Sequence, residues 1–348
     1  MEFGMFHQFP VIPGRPASEA FDQAFAQIDG AERWGLDVMW LAELHVDPER
    51  SVLASPMTIA GAVAARTRRI KIGIGVQVLP LCHPLRIAEE AATVDQISHG
   101  RLIFGVGRSG LPRTYEAYGI PYGESRERFV EALQIVERAL SQPRFSFEGR
   151  WHRFEDVAVT PKPYQTPLPP IRVAASSPDT FAQIGKLGYP IFVMPRGTFA
   201  DMKASIDIYR AAYSEAGHAG RGQVYLRVPL YVAETYERAR AEPEESIMHF
   251  FREQAARLRA SANRAGTRAI EGRAERAAML DQLTYDDAVR GKVIIGTPQT
   301  VADQLRALDA ELGVDGILAE LNCGGRVPHD CVMRALQLLC EEVKPLVH

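Results

Sequence analysis

Long hydrophobic runs and an excess of positive charge are both missing from this sequence of 348 residues. No apolar stretch approaches the ~18 residues that a membrane-spanning helix needs, and the N-terminal MEFGMFHQFP lacks the basic start and apolar centre of a signal peptide. The formal net charge is −3 and basic residues are not clustered, unlike in a nucleic-acid-binding protein. We therefore expect a cytoplasmic protein with neither a membrane nor a nucleic acid as partner.

Cysteine is scarce as well. The four cysteines are Cys82, Cys323, Cys331 and Cys340, and none forms a C-x-x-C pair, so we expect reduced thiols. The sequence contains no H-E-x-x-H motif or similar set of metal ligands, and no G-x-S-x-G nucleophile motif. These absences disfavour metal chemistry and serine-hydrolase chemistry.

What the sequence does contain is an alternation of short apolar segments and amphipathic helical stretches. Eight segments are typical of buried strands: 2–6, 37–41, 70–78, 101–107, 170–175, 190–194, 224–232 and 314–321. Helical stretches separate most of them, at 18–34, 55–68, 84–98, 124–140, 178–187 and 199–216. Eight such units predict an α/β protein with a closed (β/α)₈ TIM barrel, formed as a single domain by residues 1–348.

Two insertions interrupt the repeat. Residues 141–169, after the fourth strand, are typical of a short β-hairpin, and residues 236–291 lie between the seventh and eighth strands. Long insertions in a barrel often form lids or binding loops. The second insertion is therefore a candidate active-site lid, and a solvated helical arm is the alternative.

A G-x-G-x-x-G motif follows the fourth strand, at Gly105, Gly107 and Gly110. The same spacing marks the dinucleotide-binding turn of Rossmann domains, where a helix must start at once. Here prolines and glycines punctuate residues 111–123, so no continuous helix can start at Gly107. We expect a barrel strand whose glycines permit close approach, with Arg108 at the functional, C-terminal end of the barrel.

The next strand also ends in a segment suited to anions. Ser177 is a candidate N-cap before Pro178, and Ser176 and Thr180 add hydroxyl groups near the free N–H groups of the helix. An ordinary capped helix is the alternative. Because two consecutive strands end this way, a phosphorylated ligand is favoured.

Glycines also occur inside the third strand, in IKIGIGVQV. A strand glycine often marks a bulge or a ligand contact, and a flat ring would fit against Gly75, Val76 and Gln77. Packing of the barrel interior explains the same glycines equally well.

Several of these segments resemble the bacterial luciferase-like flavin-dependent monooxygenases, in the same order and over nearly the whole chain. They are MEFGMF (1–6), VMWLAELH (38–45), residues 70–110, VAASSPDT (173–180) and GTPQTVADQL (296–305). The resemblance implies a barrel that takes reduced FMN from a separate reductase, and O₂ that adds at flavin C4a. The C4a-(hydro)peroxyflavin then oxygenates a small or medium, partly hydrophobic organic substrate. Two alternatives are an F420-dependent oxidoreductase that transfers hydride, and a non-catalytic flavin-binding protein.

The resemblance also implies roles for individual residues. Arg108 and Arg126 match phosphate-binding arginines, and Gly75–Val76 matches a non-proline cis peptide beside the flavin ring. The predicted cofactor-binding residues are Gly75, Val76, Gln77, Arg108, Arg126, Ala175, Ser176, Ser177, Thr180 and Met194. Ala175 stands where luciferase has a side-chain carboxylate, a replacement that matters little if the contact is through the backbone N–H.

One departure from the family pattern concerns catalysis. Luciferase-like enzymes often carry E-H-H after the second strand, whereas this chain has Glu43-Leu44-His45. His45 is therefore the candidate catalytic acid or base, and a histidine that only orders its loop is the alternative. Phe6, His7 and Leu44 are weaker candidates for the substrate pocket. Residues 55–67 and 84–98 are rich in small side chains and predict a homodimer interface.

Overall fold

The computed structural model describes residues 1–176, 178–194, 197–262 and 272–347. The strands are β1 (Glu2–His7), β2 (Val38–Leu41), β3 (Lys71–Ile74), β4 (Gln77–Val78), β5 (Leu102–Gly107), β6 (Phe145–Glu148), β7 (Arg153–Val157), β8 (Ile171–Ala174), β9 (Ile191–Val193), β10 (Val224–Val232), β11 (Ile294–Gly296) and β12 (Gly316–Glu320).

Helices connect most of these strands. They are α1 (Ala17–Trp34), α2 (Pro56–Arg66), α3 (Pro84–Ser98), α4 (Pro112–Ala117), α5 (Ser125–Ser141), α6 (Pro178–Leu187), α7 (Phe199–Glu215), α8 (Tyr236–Ala241), α9 (Glu244–Ala262), α10 (Arg273–Asp281), α11 (Tyr285–Gly291), α12 (Pro298–Leu312), α13 (His329–Leu338) and α14 (Lys344–Val347). Within the described ranges, no helix is long and apolar enough to cross a membrane.

Parallel pairing closes the strands into a barrel, which confirms the predicted fold. In the described part of the chain, eight strands pair in the cyclic order β1–β2–β3–β5–β8–β9–β10–β12, and β12 returns to β1 with Glu2 opposite Gly316. The apolar segments of the sequence match these eight strands to within a few residues. Because all the strands are parallel, their C-terminal ends form one mouth of the barrel.

The structure departs from the predicted elements in two places. The third apolar segment divides into β3 and the short β4, on either side of Gly75 and Val76. Strand β11 was not predicted, and it pairs with the end of β10 beyond the barrel, at Leu230–Val232. The predicted hairpin between the fourth and fifth units is confirmed as the antiparallel pair β6–β7.

Aromatic side chains fill the barrel interior. Trp40 is fully buried there, with Phe192 edge-on at 4.8 Å between ring centroids. A Cβ on Gly73 would lie 2.1 Å from Trp40 Cε3, so the indole requires glycine on the neighbouring strand. Ion pairs flank this layer: Arg172 with Glu2 at 2.7 Å, and Arg227 with Glu320, at the C-terminal end of β12, at 2.8 Å.

Candidate active site

The glycines after β5 serve barrel packing and not a dinucleotide-binding turn. A Cβ on Gly105 would lie 1.8 Å from the carbonyl oxygen of Ile74, and one on Gly107 would lie 2.5 Å from Val76 Cγ2. Among the described residues, no atom lies within 4 Å of a Cβ built on Gly110. The Rossmann alternative is thus excluded by the fold, and the first two glycines let β3 and β5 approach closely at the mouth.

A cis peptide bond joins Gly75 and Val76, at the position that the resemblance implies. Next to it, Gln77 is buried, and its Oε1 has no hydrogen-bond partner among the described residues. A buried amide oxygen without a partner is costly. A ligand that presents an N–H group at this point would offset that cost.

Arg108 lies at the mouth directly after β5. Its Nη1 donates to Oγ of Ser125 at 3.0 Å, its guanidinium lies 5.7 Å from the ring centroid of Tyr122, and its carbonyl accepts from the Tyr115 hydroxyl. No carboxylate of the described residues forms an ion pair with it. A half-buried arginine held by neutral groups is well suited to an anionic ligand.

Arg126 lies in the first turn of α5, beside Ser125. It is 3.7 Å from the carboxylate of Asp179, which is in the first turn of α6. A positive charge in the first turn of a helix is opposed by the helix dipole, and a bound anion would offset this. We call the group formed by Gly75–Gln77, Gly107, Arg108, Ser125 and Arg126 the cradle.

The remaining predicted cofactor residues lie near the ends of β8 and β9. Ser176 is exposed, Thr180 is in the first turn of α6, and Met194 follows β9, whereas Ser177 lies outside the described residues. The N–H of Ala175 donates to the carbonyl of Phe192 at 2.9 Å. The barrel thus already uses this N–H group, and a role of Ala175 in cofactor binding stays a prediction.

His45 is held between a carboxylate and a phenol. Its Nε2 lies 2.7 Å from Oε1 of Glu43, and its Nδ1 lies 3.0 Å from the Tyr118 hydroxyl. Oε2 of Glu43 accepts the N–H of Val78 at 2.8 Å, which fixes the carboxylate. Because the carboxylate can only accept, Nε2 carries the proton in the neutral imidazole and Nδ1 accepts from Tyr118.

The surroundings of Glu43 keep two neighbouring acids protonated. Burial, with Glu43 as the next cause, raises the pKa of the Cys82 thiol to about 12. Burial, followed by Cys82 and Glu43, also raises the pKa of the Tyr118 phenol. Cys82 is thus an unreactive thiol, and Tyr118 remains a hydrogen-bond donor to His45.

Three non-glycine residues near the mouth have a positive backbone φ angle. They are Phe9 (49°), Val46 (53°) and Ser109 (61°), which follow β1, β2 and β5. Such angles are strained for most side chains, above all for β-branched valine. Strain of this kind is often concentrated at functional sites, and here it follows His45 and Arg108 directly.

The imidazole of His7 points away from the barrel interior. Its Nδ1 accepts the N–H of Phe9 at 3.0 Å, and its Nε2 lies 2.9 Å from Oε1 of Gln27 on α1. Burial lowers the pKa of His7 to about 4, so the ring is neutral. Side chains alternate along a strand: Phe6 faces the interior, and His7 therefore faces the helices.

A cavity of about 220 Å³ lies between the end of β1, the end of β12 and helix α9. We call it the arginine cavity. Its lining includes two residues predicted for the substrate pocket, Phe6 and His7, together with Gln8, Val11, Arg50, Phe250, Arg257 and Glu320. Phe6 also packs beside the cradle, because a Cβ on Gly75 would lie 3.3 Å from its Cε2. Leu44 packs against the same interior cluster as Phe6.

Four residues of the site were not predicted from the sequence. Glu43 is two positions from His45, and this spacing places both on one side of an extended chain. Ser125 adjoins Arg126 in the sequence. For Tyr118 and Arg50 no local signal exists, because each meets its partner only through the tertiary fold.

Comparison with known proteins agrees with this geometry. The family model described as luciferase-like monooxygenase matches residues 1–316. The chain belongs to this family. The family assignment made from the sequence motifs is confirmed, and with it the interpretation of the chain as a flavin-dependent oxidoreductase.

Among its relatives in the luciferase-like family is the limonene 1,2-monooxygenase of Rhodococcus erythropolis, 26% identical over 94% of this chain and 82% of the relative. The FMNH₂-dependent dimethylsulfone monooxygenase of Pseudomonas putida is 29% identical over 76% of this chain and 72% of the relative. The crystal structure of monooxygenase RslO1 from Streptomyces bottropensis superposes with a TM-score of 0.80 at 28% identity, covering 99% of both chains.

Proposed function

We propose that this luciferase-like protein is a reduced-FMN-dependent monooxygenase, which transfers one atom of O₂ to a small or medium, partly hydrophobic organic molecule. Reduced FMN would supply the two electrons, so that one oxygen atom enters the substrate and the other leaves as water. The observation that carries the proposal is the cradle, where Arg108 has no carboxylate partner among the described residues and Gln77 has an unpaired buried oxygen.

The residues of the cradle fit a flavin mononucleotide. Arg108 and Arg126 would hold the phosphate, with Ser125 fixing the guanidinium of Arg108. Gly75, Val76 and Gln77 would support the ring, with Gln77 Oε1 as an acceptor for a ring N–H. A relative named as FMNH₂-dependent supports FMN as the flavin.

His45 is the proposed acid or base. Its Nδ1 would take up and return a proton during the reaction, while Glu43 keeps the proton on Nε2 and stabilises the imidazolium, and the Tyr118 hydroxyl orients the ring. The side chain of His45 is only 12% exposed, which limits competition from water. The leucine at position 44 leaves His45 as the histidine of this motif.

The proposal includes two partners. A separate flavin reductase would supply reduced FMN by diffusion or in a transient complex, and a second copy of the chain would form a homodimer through α2 and α3. Analytical ultracentrifugation at micromolar concentration tests the dimer. Sedimentation as a monomer would contradict it.

Stopped-flow absorbance tests the oxygenase activity. The protein is mixed with reduced FMN without oxygen, and oxygenated buffer is then added. We expect oxidised FMN to form more slowly than from free reduced FMN, because the cradle retains and shields the flavin. Equal rates with and without protein would overturn the proposal. Thermal stabilisation by F420 but not by reduced FMN would instead show hydride transfer.

A further inference from the structure

Among the described residues, one cation of the arginine cavity has no carboxylate partner within ion-pair distance. Arg257 pairs with Asp47 at 3.0 Å and with Glu253 at 3.3 Å, and the cavity-lining Arg326 pairs with Glu245 at 2.7 Å. For half-buried Arg50 the described residues offer only one side-chain hydrogen bond, from its Nε to Oε1 of Gln8 at 2.7 Å. Its two terminal nitrogens therefore remain available to a ligand.

Arg50 is held in place by a buried network. Gln8, which accepts from Arg50, donates through its Nε2 to Glu320. Glu320 is itself paired with Arg227, whose guanidinium lies 3.7 Å from the ring centroid of Phe6. Fixing Nε in this way presents the end of the guanidinium, with Nη1 and Nη2 side by side, in the geometry that binds a carboxylate with two hydrogen bonds.

The local electrostatics favour an anion beside Arg50. Burial, and then the positive charges of Arg227 and Arg257, lower the pKa of Arg50 to about 10. Two nearby carboxylates, Glu320 and Asp47, offset this only in part, because Glu320 is paired with Arg227 and Asp47 with Arg257. A ligand carboxylate would relieve the repulsion among the arginines.

The rest of the cavity lining restricts the size and polarity of the occupant. Phe6, Val11 and Phe250 provide apolar walls. A volume of about 220 Å³ lies below the ~300–1,000 Å³ of drug-sized pockets. A small organic acid fits the volume, the charge and the apolar walls of this cavity.

We propose that the substrate is a small organic acid, whose carboxylate pairs with Arg50 and whose apolar part lies against Phe6. Because Phe6 also packs beside Gly75, the apolar part would lie next to the cradle. This inference rests on the proposed function, since it takes the occupant of the cavity to be the molecule that is oxygenated. Gln8 is then a positioning residue, which acts through Arg50.

Calorimetric titration with benzoate, cyclohexanecarboxylate and hexanoate, each beside its uncharged primary amide, tests the acid site. We expect at least one acid to bind at least tenfold more tightly than its amide. Arg50→Gln should weaken that binding at least tenfold, and Arg50→Lys less. The control Arg252→Gln, on the exposed side of α9, should leave it within twofold.

Three results would overturn the acid site: no binding by any of these acids, equal binding of acid and amide, or unchanged binding in a folded Arg50→Gln. Thermal unfolding establishes that the variants are folded. Titration with reduced FMN separates the two proposals. Acid binding through Arg50 without flavin binding would leave the acid site intact and refute the proposed function, and the reverse result would refute the acid site alone.

Discussion

The cradle and the arginine cavity lie at the same mouth but are built differently. The cradle is formed largely by backbone packing of the β3–β4 segment against β5, together with Arg108 directly after β5 and Arg126 at the start of α5. The arginine cavity is formed by side chains from β1, the loop after β2, β12 and α9, joined through Gln8, Arg50 and Glu320. The comparison teaches that one site depends on the shape of the main chain and the other on charged side chains from distant segments.

Adding a methyl group beneath the cradle should have the largest effect. Gly105→Ala would place a Cβ 1.8 Å from the carbonyl oxygen of Ile74. Because this oxygen belongs to the backbone of a strand, it cannot move aside as a flexible side chain could. We expect a loss of more than about 3 kcal/mol in the free energy of unfolding, or no soluble protein. Urea denaturation measures it. Gly110→Ala is the control and should stay within about 0.5 kcal/mol; equal effects would contradict the packing argument.

Removing the imidazole of His45 should affect turnover and spare binding. We expect His45→Gln to lower the rate of substrate oxygenation by about 10²–10⁴-fold, which is the usual contribution of a general acid or base. Tyr118→Phe should have a smaller effect, because His45 keeps Glu43. Single-turnover kinetics with reduced FMN provide the measurement. A normal rate in His45→Gln would leave His45 only a structural role in its loop.

Lowering the pH should destabilise the folded protein through His7, which lies at the end of β1 beside the arginine cavity. The folded chain keeps His7 neutral with a pKa of about 4, whereas the unfolded chain takes up a proton near 6.5. Stability therefore falls as pH drops from about 6.5 to about 4, by roughly 2–3 kcal/mol from this group. His7→Gln should reduce the pH dependence by that amount in denaturation at pH 7 and pH 4.5. An unchanged dependence would contradict a buried, neutral His7.

Removing one positive charge from the cradle should weaken flavin binding and leave acid binding in the arginine cavity unchanged. We expect this effect to be the smallest of the four. Arg108→Ala removes charge-assisted hydrogen bonds worth about 1.5–3 kcal/mol, so we expect reduced FMN to bind about 10–100-fold more weakly. Binding of organic acids in the arginine cavity should not change. The exposed Arg113 provides the control variant, Arg113→Ala. Unchanged flavin affinity in Arg108→Ala would remove Arg108 from the phosphate site.

The sequence by itself determined the barrel and where the strand-end residues of the cradle lie. Each strand carries its own apolar pattern, and the residues that follow a parallel strand must lie at the mouth, so Arg108 and Gly75–Gln77 could be placed from local order. The direction of His7 was also available from strand alternation with Phe6.

Only the tertiary structure decided which side chains meet. His45 contacts Tyr118, 73 positions away, and Gln8 contacts Glu320, 312 positions away. No local pattern encodes such pairs, because only the folding of the barrel and of the loops at its mouth brings them together. The same closure left Arg50 without a carboxylate among the described residues and used the N–H of Ala175 in the sheet. The charge balance of a buried site depends on contacts between distant segments, and these exist only in the folded chain.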